Sequence, residues 1–488
     1  MTDEAPAKDP TQADDEATLK SMGYAQELSR RMSGFSNFAI SLSIICILAG
    51  CITSFQVGFC TVGGASIGLC WPLACLFSLM VALTMGQVAS AFPTAGGLYH
   101  WASILGGKGW GWVTAWFNLA GLITVLAAIN AGTYDFVLGA FQIDTGKHPV
   151  AVKIASVTLL TLSQAILNHR GIRLTTILTD FSGWLILAVA VLLTGALLLK
   201  SPGFYLDRLI TFTNYSGLPA DGPIFPRTGN IAWLFALGAL LPAYTITGFD
   251  ASAHTSEETV GAAKNVPRGI VRSVLVSGLF GWVMLIAIVL AIPDMDAAAA
   301  QGGGIFYWIM RSALSSPVAL AFFAAIAVAQ YLCGLATLTS ASRMAYAFAR
   351  DGGLPFSNAM RRVSPTARTP SVAIWTVSVV AVLFMAFIPY TTIAAVCAVF
   401  LYISYVLPTA IGFFAHGRTW TTMGPWQIGR WYKPLAALSV VGCLFLIVIG
   451  MQPPNQQAVW IVGGAVAVLG VAWFGFVRTR FQGPPPRK

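Results

Sequence analysis

Residues 231–260 read IAWLFALGALLPAYTITGFDASAHTSEETV. The stretch is long and apolar enough for a transmembrane helix, which needs about 20 apolar residues. Gly248, Asp250 and His254, however, stand where a lipid-facing helix would hold Leu or Val. A carboxylate at membrane depth is costly unless it faces protein interior or water. Irregular backbone survives there only beside a cavity or inside protein. A Gly-interrupted, partly charged apolar segment therefore marks a candidate solute site.

The rest of the chain fits a membrane protein. Of 488 residues, 56% are hydrophobic and only 9% charged, with mean hydropathy +0.74. Soluble domains carry about 25% charged residues. The net charge of +10 is spread singly between apolar runs, which disfavours nucleic acid as a partner. Twelve apolar spans can be drawn, near 36–60, 71–92, 110–140, 149–167, 174–199, 230–260, 270–293, 316–347, 371–388, 391–415, 434–451 and 457–477. Alternate loops then divide Lys and Arg unevenly. One side holds only Lys147, Lys153, Lys200, Arg208, Arg227 and Arg311, and the other holds the remainder of the 28. By the positive-inside rule both termini are expected in the cytoplasm. Residues 1–30 are expected to form a disordered cytoplasmic tail, since the first 20 are polar and acidic with no signal-peptide pattern. The 8 Cys lie in or beside apolar runs without metal spacing and read as buried small hydrophobes. Only Cys60 and Cys70 are candidates for a disulfide. No metal or cofactor is expected.

The first span matches the sixth. Ala49, Gly50 and Cys51 are small, Thr53 and Ser54 are polar, and Gly58, Gly63 and Gly64 follow. Interrupted segments five spans apart suggest a 5+5 inverted repeat with a site between them. A broken helix leaves N–H groups at one new end and C=O groups at the other. These suit a carboxylate and an ammonium respectively. The expected substrate contacts are Ala49, Gly50, Cys51, Ile52 and Thr53 on the first span and Tyr244, Thr247, Gly248, Phe249 and Asp250 on the sixth. Asp250 has two readings, a contact to substrate or ion and a cap on the second half-helix. His254, four residues on, reads as a hydrogen-bonded core His or a proton relay.

Four loops carry a resemblance. They are Pro93–Trp101 (PTAGGLYHW), Glu257–Ile270 (EETVGAAKNVPRGI), Ser342–Pro355 (SRMAYAFARDGGLP) and Gly424–Pro434 (GPWQIGRWYKP). Over residues 24–480 the chain resembles the amino acid–polyamine–organocation transporter superfamily. Within it, the chain is similar to the amino acid/choline branch of γ-aminobutyrate, choline and bidirectional amino acid permeases. The resemblance implies an all-α, leucine-transporter-like fold with 31–200 and 230–418 as inverted repeats. It further implies a loop at 201–229, two peripheral spans in 419–480 and a tail at 481–488. It implies flanking aromatics from spans 3 and 10, Trp116, Tyr402 and Tyr405, which with Phe249 would gate the site.

Glu257 and Glu258 with Arg268 read either as an inner latch or as a static solvated ion pair, and Arg343, Arg350 and Asp351 could join them. Thr337, Thr339 and Ser340 stand where sodium-coupled relatives hold a cation; each hydroxyl has a second reading, a bond back to the carbonyl four residues before it. The Lys of proton-coupled relatives is missing from Thr179–Trp184, where Ser182 stands nearest; H+ and Na+ both stay open. The expected function is a secondary active transporter of a small neutral amino acid or γ-aminobutyrate, working by alternating access in the cell membrane. The alternatives are a choline, polyamine or other organic cation carrier, or an exchanger. A channel lacks a filter loop here, and an enzyme lacks HExxH and P-loop motifs.

Overall fold

A computed structural model describes residues 10–388 and 390–485. Residues 1–9 and 486–488 of the expected tails lie outside that range. Among the described residues every regular element is helical. Helix α1 (Pro10–Ser21) comes first. A broken segment follows: α2 (Gly34–Ile45), α3 (Ile47–Thr53) and α4 (Phe55–Val62). Next are α5 (Trp71–Ala91), α6 (Leu98–Gly106), α7 (Lys108–Phe141), α8 (Pro149–His169) and α9 (Ile172–Leu199). The second broken segment is α10 (Ile231–Gly238), α11 (Leu240–Thr245) and α12 (Ala251–His254). It leads to α13 (Ala262–Leu290), α14 (Met295–Ala299), α15 (Ile305–Ala313), α16 (Ser316–Arg350) and α17 (Ser357–Met360). Last come α18 (Ser371–Phe387), α19 (Tyr390–Ala415), α20 (Tyr432–Gly450) and α21 (Gln457–Ala472), which continues through a π-helical turn at Trp473–Val477 into α22 (Arg478–Arg480).

Among the described residues, ten helical segments are long and apolar enough to cross a membrane, and Ile231–Thr245 and Ser371–Phe387 are shorter apolar helices. Their outer faces carry exposed Phe181, Trp184 and Leu192 on α9 and Trp460, Val468 and Val471 on α21. Apolar surface this continuous suits lipid rather than water.

The first break falls at Cys46, whose backbone is left-handed (φ 32°, ψ 80°). The expected break at Ala49–Cys51 is thus three to five residues late: these residues lie inside α3. The second break falls where expected, from Ile246 to Asp250, with Gly248 at φ +80°. The two breaks face each other. A Cβ on Gly50 would meet Thr245, including its Cα at 2.8 Å, and one on Gly248 would strike Ile44. Small residues thus allow backbone-to-backbone approach. Helices α7, α16 and α19 surround this pair.

The N-terminal tail also differs from expectation. Within it, residues 10–21 form α1, which docks on the bundle. Leu19 and Met22 are buried in the core. Asp15 accepts hydrogen bonds from the N–H groups of Gly261 (2.7 Å) and Ala262 (3.1 Å), at the start of α13, and lies 3.6 Å from Arg30. A carboxylate at a helix N-terminus is favoured by the exposed N–H groups there. Arg30 in turn donates to the carbonyls of Ser256 and Thr259. Composition marked this segment as polar and missed the two apolar anchors. All eight cysteines are free thiols, so the Cys60–Cys70 disulfide is not formed.

Candidate substrate-binding site

A cavity of about 70 Å³ lies at the two facing breaks. That space holds several water-sized groups. Ile44, Ile45, Ala49, Gly50, Thr53 and Ser54 line it from the first segment, and Tyr244 and Thr247 from the second. Helix α7 adds Val125, Ala128, Ile129, Gly132 and Thr133, α16 adds Gln330 and Cys333, and α19 adds Ala394 and Cys397. None of these residues is charged. The cavity shares Thr53, Ser54, Tyr244 and Ala394 with a larger one of about 310 Å³, which extends toward the Gly222–Phe225 loop and Asn455.

Two features of the lining can hold a polar solute. No described residue donates to the carbonyls of Thr245, Ile246 and Thr247, where the helix has ended. They are the orphan acceptors of a helix terminus. Gln330 is 1% exposed, and neither its amide O nor its amide N has a hydrogen-bond partner. A buried unpaired amide costs about 1–3 kcal/mol, so this side chain suits a ligand. Sequence reading missed Gln330, because a lone Gln in an apolar helix carries no motif.

Of the thirteen residues expected to touch substrate, five line the cavity: Ala49, Gly50, Thr53, Tyr244 and Thr247. Cys51 and Ile52 point into the core. The N–H groups of Ala49 and Gly50 are not free for a carboxylate, since both donate to the Cys46 carbonyl (2.7 and 3.0 Å). Chain re-entry into helix right after Cys46 consumes them.

Asp250 is fully buried and caps nothing with its side chain. Its Oδ1 accepts from the Tyr405 hydroxyl (2.8 Å), and its Oδ2 accepts from Asn118 Nδ2 (2.8 Å) and faces His254 Nε2 (3.2 Å). The Tyr405 oxygen also accepts the N–H of Gly248 (2.9 Å). The capping reading fails because Tyr405, 155 residues away, reaches the carboxylate.

The aromatics expected to gate the site do not line the cavity. Phe249 is fully buried against Tyr405, with ring centroids 4.9 Å apart, and Tyr402 follows at 5.8 Å. Trp116 sits in a separate apolar hollow with Trp112 and Leu469. Tyr244 is the aromatic side chain on the cavity, its hydroxyl accepting from Asn455 Nδ2 (2.8 Å).

Beyond Asp250, charged residues pair inside the bundle. Glu258 pairs with Arg343 through Nε (3.0 Å) and a second nitrogen (3.1 Å), both side chains fully buried. Glu257 pairs with Arg350 (2.9 and 3.0 Å) and accepts the N–H of Ala95 (3.1 Å). Asp351 gathers Tyr24, Tyr99 and His100 within 2.8–3.0 Å. Arg268 is exposed, and neither Glu257 nor Glu258 pairs with it. Closeness in sequence picked it, but helix α13 turns its side chain outward.

Thr337 and Thr339 donate to carbonyls four residues back, and Thr339 also to Asn168 (2.7 Å). The Ser340 hydroxyl is buried and unpaired. The run Gly64-Ala-Ser-Ile-Gly68 has the spacing of a hydrolase nucleophile elbow. Ser66, however, sits at a helix crossing, where a Cβ on Gly58 or Gly238 would press on its hydroxyl (2.9 and 3.0 Å).

Apolar helices with lipid-type outer faces, wrapped around an uncharged cavity at two helix breaks, define a multi-pass membrane carrier of small solutes. The family model for amino acid permeases matches residues 32–474. The chain belongs to that family. It is 31% identical to the amino-acid permease BAT1 of Arabidopsis thaliana, covering 96% of this chain and 95% of that protein. It is 30% identical to the BAT1 homolog of Oryza sativa, with the same coverage. It is 28% identical to the GABA-specific permease of Saccharomyces cerevisiae, covering 96% of this chain and 86% of that one.

Proposed function

We propose that the chain moves a small neutral amino acid, γ-aminobutyrate included, across the cell membrane by alternating access. The observation that carries this reading is the cavity between two helix breaks, lined by polar but uncharged groups. Unpaired carbonyls at the second break suit an ammonium, and the Gln330 amide suits a carboxylate or a polar side chain. Choline or a polyamine would need anions in the lining, and none is there. The yeast relative named as GABA-specific supports including γ-aminobutyrate.

In this reading twelve spans form a leucine-transporter-like bundle of repeats 31–200 and 230–418, with both termini in the cytoplasm. Glu257 and Glu258 then close the inner face, and the larger cavity by Asn455 is the outer vestibule. The coupling ion, H+ or Na+, is taken up by groups outside the substrate cavity. Purified protein in proteoliposomes should take up radiolabelled neutral amino acids with saturation. Competition by choline but by no amino acid would overturn the assignment.

A further inference from the structure

His254 has both ring nitrogens directed at acceptors. Its Nδ1 lies 3.0 Å from the carbonyl of Ala95, and its Nε2 lies 3.2 Å from Asp250 Oδ2. A carbonyl oxygen can only accept. Asp250 receives two further donors, the Tyr405 hydroxyl and the Asn118 amide, so its carboxylate is an acceptor on every side. Beside an ionised Asp250, neutral imidazole, with its one N–H, would leave one of these contacts as two facing lone pairs. We propose that Asp250 and His254 form the proton-binding site of the transport cycle, loaded as carboxylate and imidazolium while the inner seal is closed. This rests on the reading of the chain as a permease.

Ala95 couples the pair to the seal. Its C=O meets His254, and its N–H meets Glu257, which is held by Arg350. The neighbouring Gly97 has φ +48° and lets the imidazole lie close; a Cβ there would sit 3.2 Å from His254 Cε1. The groups facing the pair from other elements are Asn118 on α7, Tyr405 on α19 and Ala95. The next charged neighbours are Glu257–Arg350, Glu258–Arg343 and the His100–Asp351 cluster. The Tyr405 hydroxyl, bonded to Gly248 N–H, sits one residue from the cavity-lining Thr247.

When the Pro93–Gly97 turn moves away, Nδ1 loses its acceptor and meets water. The imidazolium then gives its Nδ1 proton to water, forming hydronium on the inner side. It remains as neutral imidazole with Nε2–H on the Asp250 carboxylate. The pair passes from net zero to net −1, and one proton crosses per cycle.

Two measurements test this. In proteoliposomes, an imposed pH gradient, acid outside, should drive accumulation of a radiolabelled neutral amino acid. His254→Gln should cut that accumulation at least tenfold more than it cuts counterflow. Equal losses, or wild-type counterflow with no response to the gradient, would overturn the proposal. Nitrogen-15 histidine NMR of the protein in nanodiscs reads the proton without transport. The imidazolium signal that is lost in His254→Gln should be present in the wild type at pH 7. A neutral His254 would overturn the proposal even if amino acids are carried. Absence of any amino acid uptake beside an imidazolium signal would instead fault the functional reading and leave the proton site standing.

Discussion

Gly50 and Gly248 decide how closely the two broken segments meet. Gly50 has no room for even one methyl group, because the Thr245 backbone lies 2.8 Å from where the carbon would go. Overpacking of this kind costs about 1–3 kcal/mol. Gly50→Ala should therefore lower the thermal unfolding midpoint in detergent and depress uptake. Gly470→Ala on α21, with nothing within 4 Å of its added carbon, is the control. It should be neutral or slightly stabilising, since Ala is the better helix former by up to about 1 kcal/mol. Equal midpoints for both variants would contradict the close approach. Gln330 is the other decisive single residue. Gln330→Leu removes its polar atoms and should shift selectivity in a competition panel from polar toward apolar amino acids by roughly tenfold, as one lost hydrogen bond of about 1.4 kcal/mol implies. An unchanged rank order would exclude it from the substrate site.

At the level of elements, buried ion pairs join the turn after α12 to α16. Both Glu258 and Arg343 are fully buried. Removing one partner of such a pair costs about 3–5 kcal/mol, whereas removing both is far less harmful. Glu258→Gln should thus destabilise strongly, and Glu258→Gln with Arg343→Met should recover much of the loss. Additive effects in that double-mutant cycle, measured by thermal unfolding, would show the pair to be uncoupled. Helix α1 is held to the same face by Asp15. Asp15→Ala leaves the two N–H groups at the start of α13 without that acceptor, so α1 should undock. Trypsin cleavage after the exposed Lys20 should then be faster than in wild type; an unchanged rate would mean that Leu19 and Met22 anchor the helix alone.

Across the whole molecule, pH acts on the cluster that ties α6, α16 and the N-terminal segment together. Burial pushes the Asp351 carboxyl up, but the hydrogen bond and charge of His100, with Arg350 and Tyr24, outweigh it and hold the group below its ordinary value. A carboxyl with a lowered pKa in the fold stabilises above its unfolded pKa of about 3.9. That contribution is lost as pH falls through the lowered value. The cluster should therefore hold unchanged from neutral pH to about 5 and loosen only in stronger acid. Asp351→Asn should lower the unfolding midpoint at pH 7 and flatten the acid limb of its pH profile. A limb that survives in the variant would assign it to other carboxylates.

The sequence by itself determined the apolar helical class, the family and the break in Ile231–Val260, because these rest on local composition and on glycine and charge inside an apolar run. Gly248 and Asp250 are legible for that reason. Cys46 is not: nothing local marks it as the residue that takes the left-handed turn, and Gly50, the obvious breaker, serves close packing instead. The partners of Glu257 and Glu258 stand 93 and 85 residues further along the chain; sequence proximity put Arg268 first and left Arg343 and Arg350 as additional candidates, and the fold pairs the glutamates with Arg350 and Arg343. From sequence Asp250 reads either as a substrate or ion contact or as a cap; Tyr405, Asn118 and His254 close around it in the fold. Helix propensity and hydropathy act within a few residues. Which side chains meet in the low-dielectric interior depends on how distant helices pack, and only the tertiary structure decides that.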